Sequence, residues 1–419
     1  MTASMPDSNA LVLWNASVID SRNPRPIERM CITVRNGRID QVRGAEEAAA
    51  PAGAVDATGK FVMPGLIDAH IHLTDDPKML EKAAPPRAMQ GEEPRPRELV
   101  YFILANSARA FLRAGITSIR DVGCYDDNAI ALREAVRLGL TDGPRILSCG
   151  RIISATAPGA RIFTTMYEEA DGPDEMRRCV RRQLRRGADY IKVMAGGARS
   201  VVRENPEPSQ LTREEMDALV DEAHRLGLRV AAHAEGLGAV RRAVEGGVDT
   251  VEHGLSLHRA PELLDLMARR GTVLVPTLTT FHDVGERFDT IFAKRLVEQA
   301  KRQREEAYQT LLAARGAGVT LAMGFDSGPP GGDALELVRM VDGGLTPHEG
   351  ITAATHGSAR ALGLEDVGTI EPGKAADLLV LESDPLQDVR SLMRPEEIRM
   401  VVSSGRIVFR AAGDGGSGR

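Results

Sequence analysis

Short apolar segments alternate with longer helical segments between residues 64 and 360, and this alternation limits the folds open to the chain. The predicted strands are 66–72, 117–122, 145–150, 189–194, 229–234, 250–253, 272–278 and 320–326. Eight strands separated by helices over such a length favour an α/β fold, specifically a TIM-like (β/α)8 barrel. A doubly wound open sheet is the alternative, but the GxGxxG motif that would favour it does not follow the first strand.

The two ends of the chain have a different sequence pattern from the middle. Residues 1–63 and 361–419 contain short strand candidates, and the pairs Asn36-Gly37 and Ser404-Gly405 are strong signals for tight hairpins. Isolated hairpins are only marginally stable in water, so the two ends need each other. We therefore predict two domains, namely a metal-dependent hydrolase barrel at 64–360 and a small composite β-sandwich formed by the two ends.

Composition excludes several classes of partner. The net charge is −6, with 53 basic and 59 acidic residues spread along the chain, so we expect no nucleic-acid surface. No apolar run approaches the roughly 18 residues needed to span a bilayer, so we expect no membrane partner. The polar N-terminus lacks the pattern of a secretory signal, which makes the cytoplasm the expected location. A small molecule or a dipeptide is the expected substrate.

Five polar side chains lie at the ends of predicted strands. His70 and His72 end the first strand, and residues two apart on a strand share a face. His233 ends the fifth strand, His253 the sixth and Asp326 the eighth. In a barrel of this kind, functional groups lie at the carboxyl ends of the strands, so these five side chains are expected to meet.

Each of these five residues has an ordinary interpretation when taken alone. A histidine in a strand is usually a packing residue, and an aspartate after a strand usually belongs to a turn. Their joint occurrence at four strand ends instead predicts a metal site. Imidazole and carboxylate ligands without thiolate suit zinc, manganese, iron or nickel.

Lys192, on the fourth strand, faces the predicted barrel interior by the same alternation of side chains. A buried ammonium group is unfavourable unless it is paired or modified. One interpretation is that Lys192 pairs with an interior carboxylate. The other is that it takes part in the metal site.

Seven segments together resemble the amidohydrolase superfamily, within it the imidazolonepropionase-like and prolidase-like metal-dependent hydrolases. The segments are MPGLIDAHIH (63–72), TSIRD (117–121), GADYIK (187–192), HAEG (233–236), VEHG (251–254), MGFD (323–326) and GTIEPGKAADL (368–378). They follow the order of that family and span most of the chain. As a set they are specific for the superfamily and much less so for the substrate.

The resemblance implies six metal ligands and two divalent ions. The ligands are His70, His72, Lys192, His233, His253 and Asp326. The first-strand pair and the eighth-strand aspartate would hold one ion, and the histidines of strands five and six the other. The lysine would be carbamylated and would bridge both. Zinc is the leading expectation, with manganese, iron, cobalt and nickel left open.

The mechanism implied is hydrolysis of an amide by a metal-bridging hydroxide. Two ions lower the pKa of a bridging water, the hydroxide attacks a carbonyl carbon, and Asp326 passes the proton to the leaving nitrogen. Asp326 and Lys192 would therefore be the catalytic residues. The leading substrate is a dipeptide or an N-acyl amino acid, as in prolidase-like and carboxypeptidase-like enzymes.

Other readings stay open at this point. The substrate could be a cyclic amide, a carbamate, a lactone or a xenobiotic ester or amide. A non-catalytic amidohydrolase-like scaffold is the alternative of another class. The chain also departs from dipeptide-cleaving relatives, because segment 154–160 contains no histidine and Glu235 stands where some relatives have tyrosine. Homo-oligomers are common among such proteins, so we expect one here.

The candidate substrate-binding residues are Glu235, His282, Arg199, Arg203 and Arg161. Glu235 follows His233 on the same face, and His282 follows the seventh strand. An arginine could bind a substrate carboxylate through a two-pronged contact, although a loop arginine is more often simply a solvated charge. The long segments 73–95, 152–172 and 195–210 are expected to shape the pocket.

Overall fold

The structure is a computed structural model, and it describes residues 10–45, 50–73, 98–201, 203–287, 294–326 and 328–412. Most of the segment expected to cover the pocket, 73–95, lies outside these ranges. None of the described helices is long and apolar enough to cross a membrane.

Strands and α-helices are numbered here in chain order. The strands are β1 (Leu11–Val18), β2 (Ile27–Arg35), β3 (Arg38–Gly44), β4 (Val55–Asp56), β5 (Phe61–Pro64), β6 (Leu66–Ile71), β7 (Ile116–Asp121), β8 (Arg145–Ser148), β9 (Ile152–Ser154), β10 (Tyr167–Glu169), β11 (Ile191–Met194), β12 (Val230–Ala234), β13 (Thr250–His253), β14 (Val273–Val275), β15 (Leu378–Leu381), β16 (Ile398–Ser403) and β17 (Arg406–Arg410). The helices are α1 (Leu99–Arg113), α2 (Asn128–Arg137), α3 (Pro158–Phe163), α4 (Pro173–Arg186), α5 (Arg213–Arg225), α6 (Leu237–Gly246), α7 (Pro261–Arg270), α8 (Leu278–His282), α9 (Lys294–Gly316), α10 (Ala334–Asp342), α11 (Pro347–Thr352) and α12 (Ser358–Leu362).

One sheet collects strands from both ends of the chain. Its order is β17-β16-β15-β5-β1-β2-β3, with β4 paired to β1. The two ends meet where β5 runs antiparallel to β15, with Met63 opposite Leu379. A single core of apolar side chains from these strands, including Val62 and Leu378, lies against the sheet. The strands of the two ends therefore do bury each other, as the marginal stability of isolated hairpins requires.

Both predicted hairpins are confirmed. Asn36 and Gly37 have φ values of 50° and 79°, and Ser404 and Gly405 have 48° and 76°. Two consecutive left-handed residues are the requirement of the tight turn that matches the twist of antiparallel strands. The turns join β2 to β3 and β16 to β17.

Parallel strands make up the central part of the chain. One sheet has the order β10-β9-β11-β12-β13-β14 and a second has β6-β7-β8. Seven of the eight predicted strands are present, within a few residues of the expected ends. The eighth segment, 320–326, forms only an isolated parallel bridge between Leu321 and Leu274. It nevertheless lies between two strands, because Ala322 N donates to Leu274 O at 2.9 Å and Ala69 N donates to Met323 O at 2.8 Å.

Segment 152–172 differs from its expectation as a simple pocket loop. It contains the two short strands β9 and β10 and the helix α3. Three-residue strands are too short to show an alternating pattern. Whether such a segment forms a strand therefore depends on the strand it pairs with rather than on its own sequence. Two helices begin at clear sequence signals: α5 begins after Thr212 with a full capping box, and α7 begins at Pro261.

Candidate metal centre

Three polar side chains from the first strand and the eighth segment converge on one point. His70 Nε2 lies 3.5 Å from Asp326 Oδ1, and His72 Nε2 lies 3.7 Å from the same oxygen. We call these three residues the first half-site. The two imidazoles come from one strand face, as the spacing of two residues predicts.

His233 and His253 form what we call the second half-site. Nδ1 of His233 lies 2.9 Å from Nε2 of His253. The ring of His253 is also 5.1 Å from the ring of His70, measured between centroids, so the two half-sites are neighbours. Ligand atoms of His70, His253 and Asp326 lie within 4.8 Å of one another, close enough to share one ion.

The far nitrogens of these rings have their own partners. His70 Nδ1 donates to Glu252 Oε2 at 2.6 Å, and His72 Nδ1 donates to the carbonyl of Gly123 at 2.8 Å. Because carboxylate and carbonyl oxygens only accept, the hydrogen lies on Nδ1 and the lone pair on Nε2. Such partners orient metal-binding histidines and make the free nitrogen more basic.

Burial favours the neutral form of three imidazoles, those of His72, His233 and His253. It lowers the pKa of His72 to about 4, and the opposing charge of Asp326 does not cancel the effect. Burial also holds the pKa of His233 and His253 well below their ordinary value. At neutral pH each ring therefore has an unprotonated nitrogen, which is the form that binds a metal ion.

Left-handed backbone conformations occur at the site. His253 has a φ of 71°, Asp326 of 59° and Thr277 of 48°. The hydroxyl of Thr277 lies 2.6 Å from Nδ1 of His253. Non-glycine residues in this region are uncommon, and they concentrate where a side chain must be aimed.

The left-handed backbone of His253 changes the direction in which its side chain points. In the sheet register, His233 lies opposite Glu252, and His253 lies opposite Ala234. Consecutive strand residues normally point to opposite faces, yet Glu252 contacts His70 and His253 contacts His233. The left-handed residue breaks the alternation and brings both side chains to the same centre.

Glycine and aspartate hold the eighth segment against the first strand. A side chain at Gly324 would place its Cβ 2.7 Å from Cβ of His70 and 2.4 Å from Val275 Cγ1, so only glycine fits. Asp68 Oδ1 accepts from His70 N at 2.8 Å, and Asp68 Oδ2 accepts from Phe325 N at 3.1 Å. These contacts fix the position of Asp326 relative to His70.

A buried ion pair supports the first half-site. Arg120 Nη2 donates to Glu252 Oε1 at 2.7 Å, and Arg120 Nε donates to the carbonyl of Ala69 at 2.6 Å. Burial raises the pKa of Glu252, but the charge of Arg120 and the hydrogen bond from His70 outweigh it and keep the carboxyl ionised. Neither Arg120 nor Glu252 was predicted from the sequence to belong to the site. The sequence feature that could have indicated the pair is a charged residue within each of two otherwise largely apolar strands.

Lys192 is buried near both half-sites. It is only 2% exposed, and among the described residues its amine has no hydrogen bond or ion pair. Burial lowers its pKa, and its charge in turn lowers the pKa of both His72 and His233. The amine is thus unpaired, near both half-sites and shifted toward its neutral form. Among the described residues no carboxylate forms an ion pair with this amine, although the charges of Glu252 and Asp326 act to raise its pKa.

The proposed substrate-binding residues separate into two groups. Glu235 and Arg199 are buried beside the second half-site, where Arg199 Nη1 donates to Glu235 Oε1 at 2.8 Å. The other three lie elsewhere. His282 Nε2 lies 3.0 Å from the hydroxyl of Tyr308. Arg161 and Arg203 are exposed, and neither makes a contact with the half-sites within the described residues.

Comparison with known proteins agrees with this geometry. The model of the amidohydrolase family matches residues 61–408. An ochratoxinase from Aspergillus niger is 31% identical over 386 residues, which cover 84% of this chain and 76% of that protein. An imidazolonepropionase from Solibacter usitatus (strain Ellin6076) is 27% identical over 413 residues, covering 91% of this chain and 89% of that protein.

A solved structure also matches almost the whole chain. It is a Xaa-Pro dipeptidase with bound methionine in the active site, with a TM-score of 0.84 at 28% identity. The alignment covers 96% of this chain and 100% of that chain. Sequence, fold and site therefore lead to one conclusion: the chain belongs to the amidohydrolase family, and it is a hydrolase that acts on carbon–nitrogen bonds.

Proposed function

We propose that the chain is a two-metal hydrolase that cleaves the amide bond of a dipeptide or an N-acyl amino acid. The observation that carries the proposal is the convergence of the two half-sites, His70–His72–Asp326 and His233–His253, with the buried amine of Lys192 near both. A neutral lysine amine can add carbon dioxide to become a carbamate. That anion would replace an unfavourable buried cation with a bridging ligand.

The residues present fit divalent metal ions. Four imidazoles and one carboxylate offer the donors that zinc prefers, with manganese, iron, cobalt and nickel as the further candidates. The far nitrogens of His70 and His72 are already bonded to acceptors, so their near nitrogens are free to bind. His70, His72 and Asp326 would hold one ion, and His233 and His253 the other, with carbamylated Lys192 between them.

Bound ions would supply a water of lowered pKa and would polarise the carbonyl of the substrate. Asp326 contributes the proton transfer. Its carboxylate lies 3.5 Å from His70 and 3.7 Å from His72, and its side chain keeps 14% exposure toward the cleft. Asp326 Oδ would take the proton of the attacking water and deliver it to the leaving nitrogen, which completes cleavage.

The substrate class draws on two similar proteins. The Xaa-Pro dipeptidase has an amino acid bound in its active site, which supports a dipeptide or an N-acyl amino acid here. The similarity to an ochratoxinase supports a second candidate, a xenobiotic amide. The similarity to an imidazolonepropionase makes a cyclic amide a third candidate substrate. No contact described in the site supports this substrate class.

The test is a hydrolysis screen on metal-loaded protein. Purified protein is reconstituted with zinc or with manganese and assayed on dipeptides, N-acyl amino acids, lactones and xenobiotic amides. About two ions per chain and turnover of the first two classes are expected. Turnover of lactones or esters alone would contradict the proposal, and so would the absence of bound metal after reconstitution.

We also propose that the two parallel sheets form one barrel and that the terminal sheet is a composite domain. Support comes from segment 320–326, which hydrogen bonds to Leu274 on one side and to Ala69 on the other, as the last strand of a closed barrel would. After cleavage near residues 63 and 361, the two terminal segments should stay associated with each other, since β5 pairs with β15. Separation of the two terminal segments after such cleavage would contradict a shared terminal domain. The expected homo-oligomer and the cytoplasmic location stay predictions, and light scattering tests the first.

A further inference from the structure

Buried arginine–glutamate pairs support one histidine in each half-site. In the first half-site, Arg120 Nη2 lies 2.7 Å from Glu252, and Glu252 lies 2.6 Å from His70 Nδ1. All three side chains are nearly inaccessible to solvent. The carboxylate thus joins a fixed cation to the far nitrogen of a metal-binding ring.

The second half-site repeats this order with different residues. Arg199 Nη1 donates to Glu235 Oε1 at 2.8 Å, and the same oxygen lies 3.5 Å from His233 Nε2. The carbonyl of Gly197 lies 3.4 Å from that nitrogen as a second acceptor. Both contacts are longer than a normal hydrogen bond, so this array is looser than the first.

Arg199 itself is held in place from several sides. Its Nη2 donates to Thr280 Oγ1 at 3.1 Å, and its guanidinium lies 4.2 Å from the centre of the Phe281 ring. It also lies 3.9 Å from Asp326 Oδ2. A planar guanidinium with this many partners is a rigid anchor for a carboxylate.

We propose that Arg199 and Glu235 are positioning residues that orient His233 and set the affinity of the second half-site for its ion. The carbonyl of Gly197 accepts from Nε2 of His233 at 3.4 Å, and Glu235 Oε1 lies 3.5 Å from the same nitrogen. With the hydrogen held on this side, Nδ1, the nitrogen that faces His253, is free for the ion. Arg199 neutralises Glu235 and keeps it from turning toward the ion. The inference rests on the two-ion function proposed above.

This role differs from recognition of a substrate carboxylate by Arg199. The charge of Arg199 is already paired with Glu235, and its remaining contacts are with the site itself. A substrate-binding role would change KM and leave metal uptake intact. A positioning role would change metal uptake in the absence of any substrate, and the two roles are therefore separable.

The experiment is cobalt titration of the metal-free protein, followed by the visible absorption of bound cobalt and by elemental analysis after dialysis. The variants are Glu235→Gln and the double variant Arg199→Met/Glu235→Gln, which removes both charges and so leaves no unpaired buried ion. Glu262→Gln is the matched control, because Glu262 forms an exposed ion pair with Arg241 at 2.6 Å. Circular dichroism checks that each variant is folded.

Wild-type protein and the control should bind two cobalt ions alike. Both Glu235 variants should bind one ion as tightly as wild type and the other about 10-fold more weakly, with an altered cobalt spectrum. Unchanged affinity for both ions, or equal weakening of both, overturns the positioning role. A wild-type protein that binds fewer than two ions overturns the proposed function instead, and the inference with it.

Discussion

Nδ1 of His233 lies 2.9 Å from Nε2 of His253, and these two residues belong to neighbouring strands. At this distance between two neutral rings, one nitrogen carries the hydrogen. If one ion were held by both rings, that hydrogen would have to lie on a far nitrogen, beside Thr277 in one ring and beside Gly197 and Glu235 in the other. The contact between the rings is therefore compatible with the proposed ion, and acceptors lie beside both far nitrogens.

Replacing Lys192 should remove activity. Lys192→Ala would delete the proposed bridging ligand, so kcat/KM should fall by more than the roughly 10–100-fold typical of a residue that only orients a ligand. Elemental analysis should show fewer bound ions, and added short-chain carboxylic acids should restore part of the activity. Lys60→Ala is the control, since Lys60 pairs with Glu382 on the terminal sheet. Activity like that of wild type without added acid would contradict the two-metal site.

Asp326→Asn should separate metal binding from proton transfer. The amide keeps the shape of the side chain but cannot take a proton, so kcat should fall by roughly 10²–10⁴-fold. A substrate with a leaving group that needs no proton should be affected less. Stopped assays with both substrates measure the difference. Equal losses for the two would show that Asp326 acts only as a ligand.

Glu252→Gln should destabilise the fold as well as the site. The change leaves Arg120 as a buried cation without its carboxylate, and breaking a buried pair in this way costs about 3–5 kcal/mol. Urea unfolding measures this loss in the free energy of unfolding. Glu262→Gln, which breaks an exposed pair with Arg241, should cost no more than about 1 kcal/mol. Similar values for the two variants would argue against the structural role of the buried pair.

Gly324→Ala should disturb the first half-site through packing alone. The added methyl group would lie 2.7 Å from Cβ of His70, which is closer than such atoms approach. We expect a loss of about 1–3 kcal/mol in stability and weaker binding of one metal ion. Gly316→Ala is the control, because nothing lies within 4 Å of the position its Cβ would take. Calorimetry and metal titration follow both effects.

Glu222 should contribute to acid sensitivity. It lies on α5, and the hydrogen bond from Arg181 lowers its pKa to about 2. Because the pKa is depressed in the folded state, the stabilisation is present above its ordinary value of about 4.3 and is lost as the pH falls toward 2. In urea unfolding, Glu222→Gln should therefore be less stable than wild type at pH 6, with the gap closing at acid pH. The exposed Glu214→Gln should show no such closing gap.

Local sequence patterns were enough to predict most strands and five of the candidate ligands, and the family resemblance added Lys192. Strand alternation alone places His70 and His72 on one face, and turn chemistry alone specifies the bends at Asn36 and Ser404. Strand alternation and turn conformation depend on residues that are close in sequence, so both can be predicted from the sequence alone. The short strands β9 and β10 could not be identified in this way, since each is held by its pairing partner.

The sequence by itself determined the family, the order of the strands and which residues end them. Only the tertiary structure decided how those ends are supported. His70 meets Glu252 across 182 positions of the chain, and Arg199 meets Glu235 across 36. The direction of His253 likewise depends on a left-handed backbone that no residue type requires. Such contacts form only when separate strands pack together, because burial and ion pairing act between atoms that are near in space and distant in sequence.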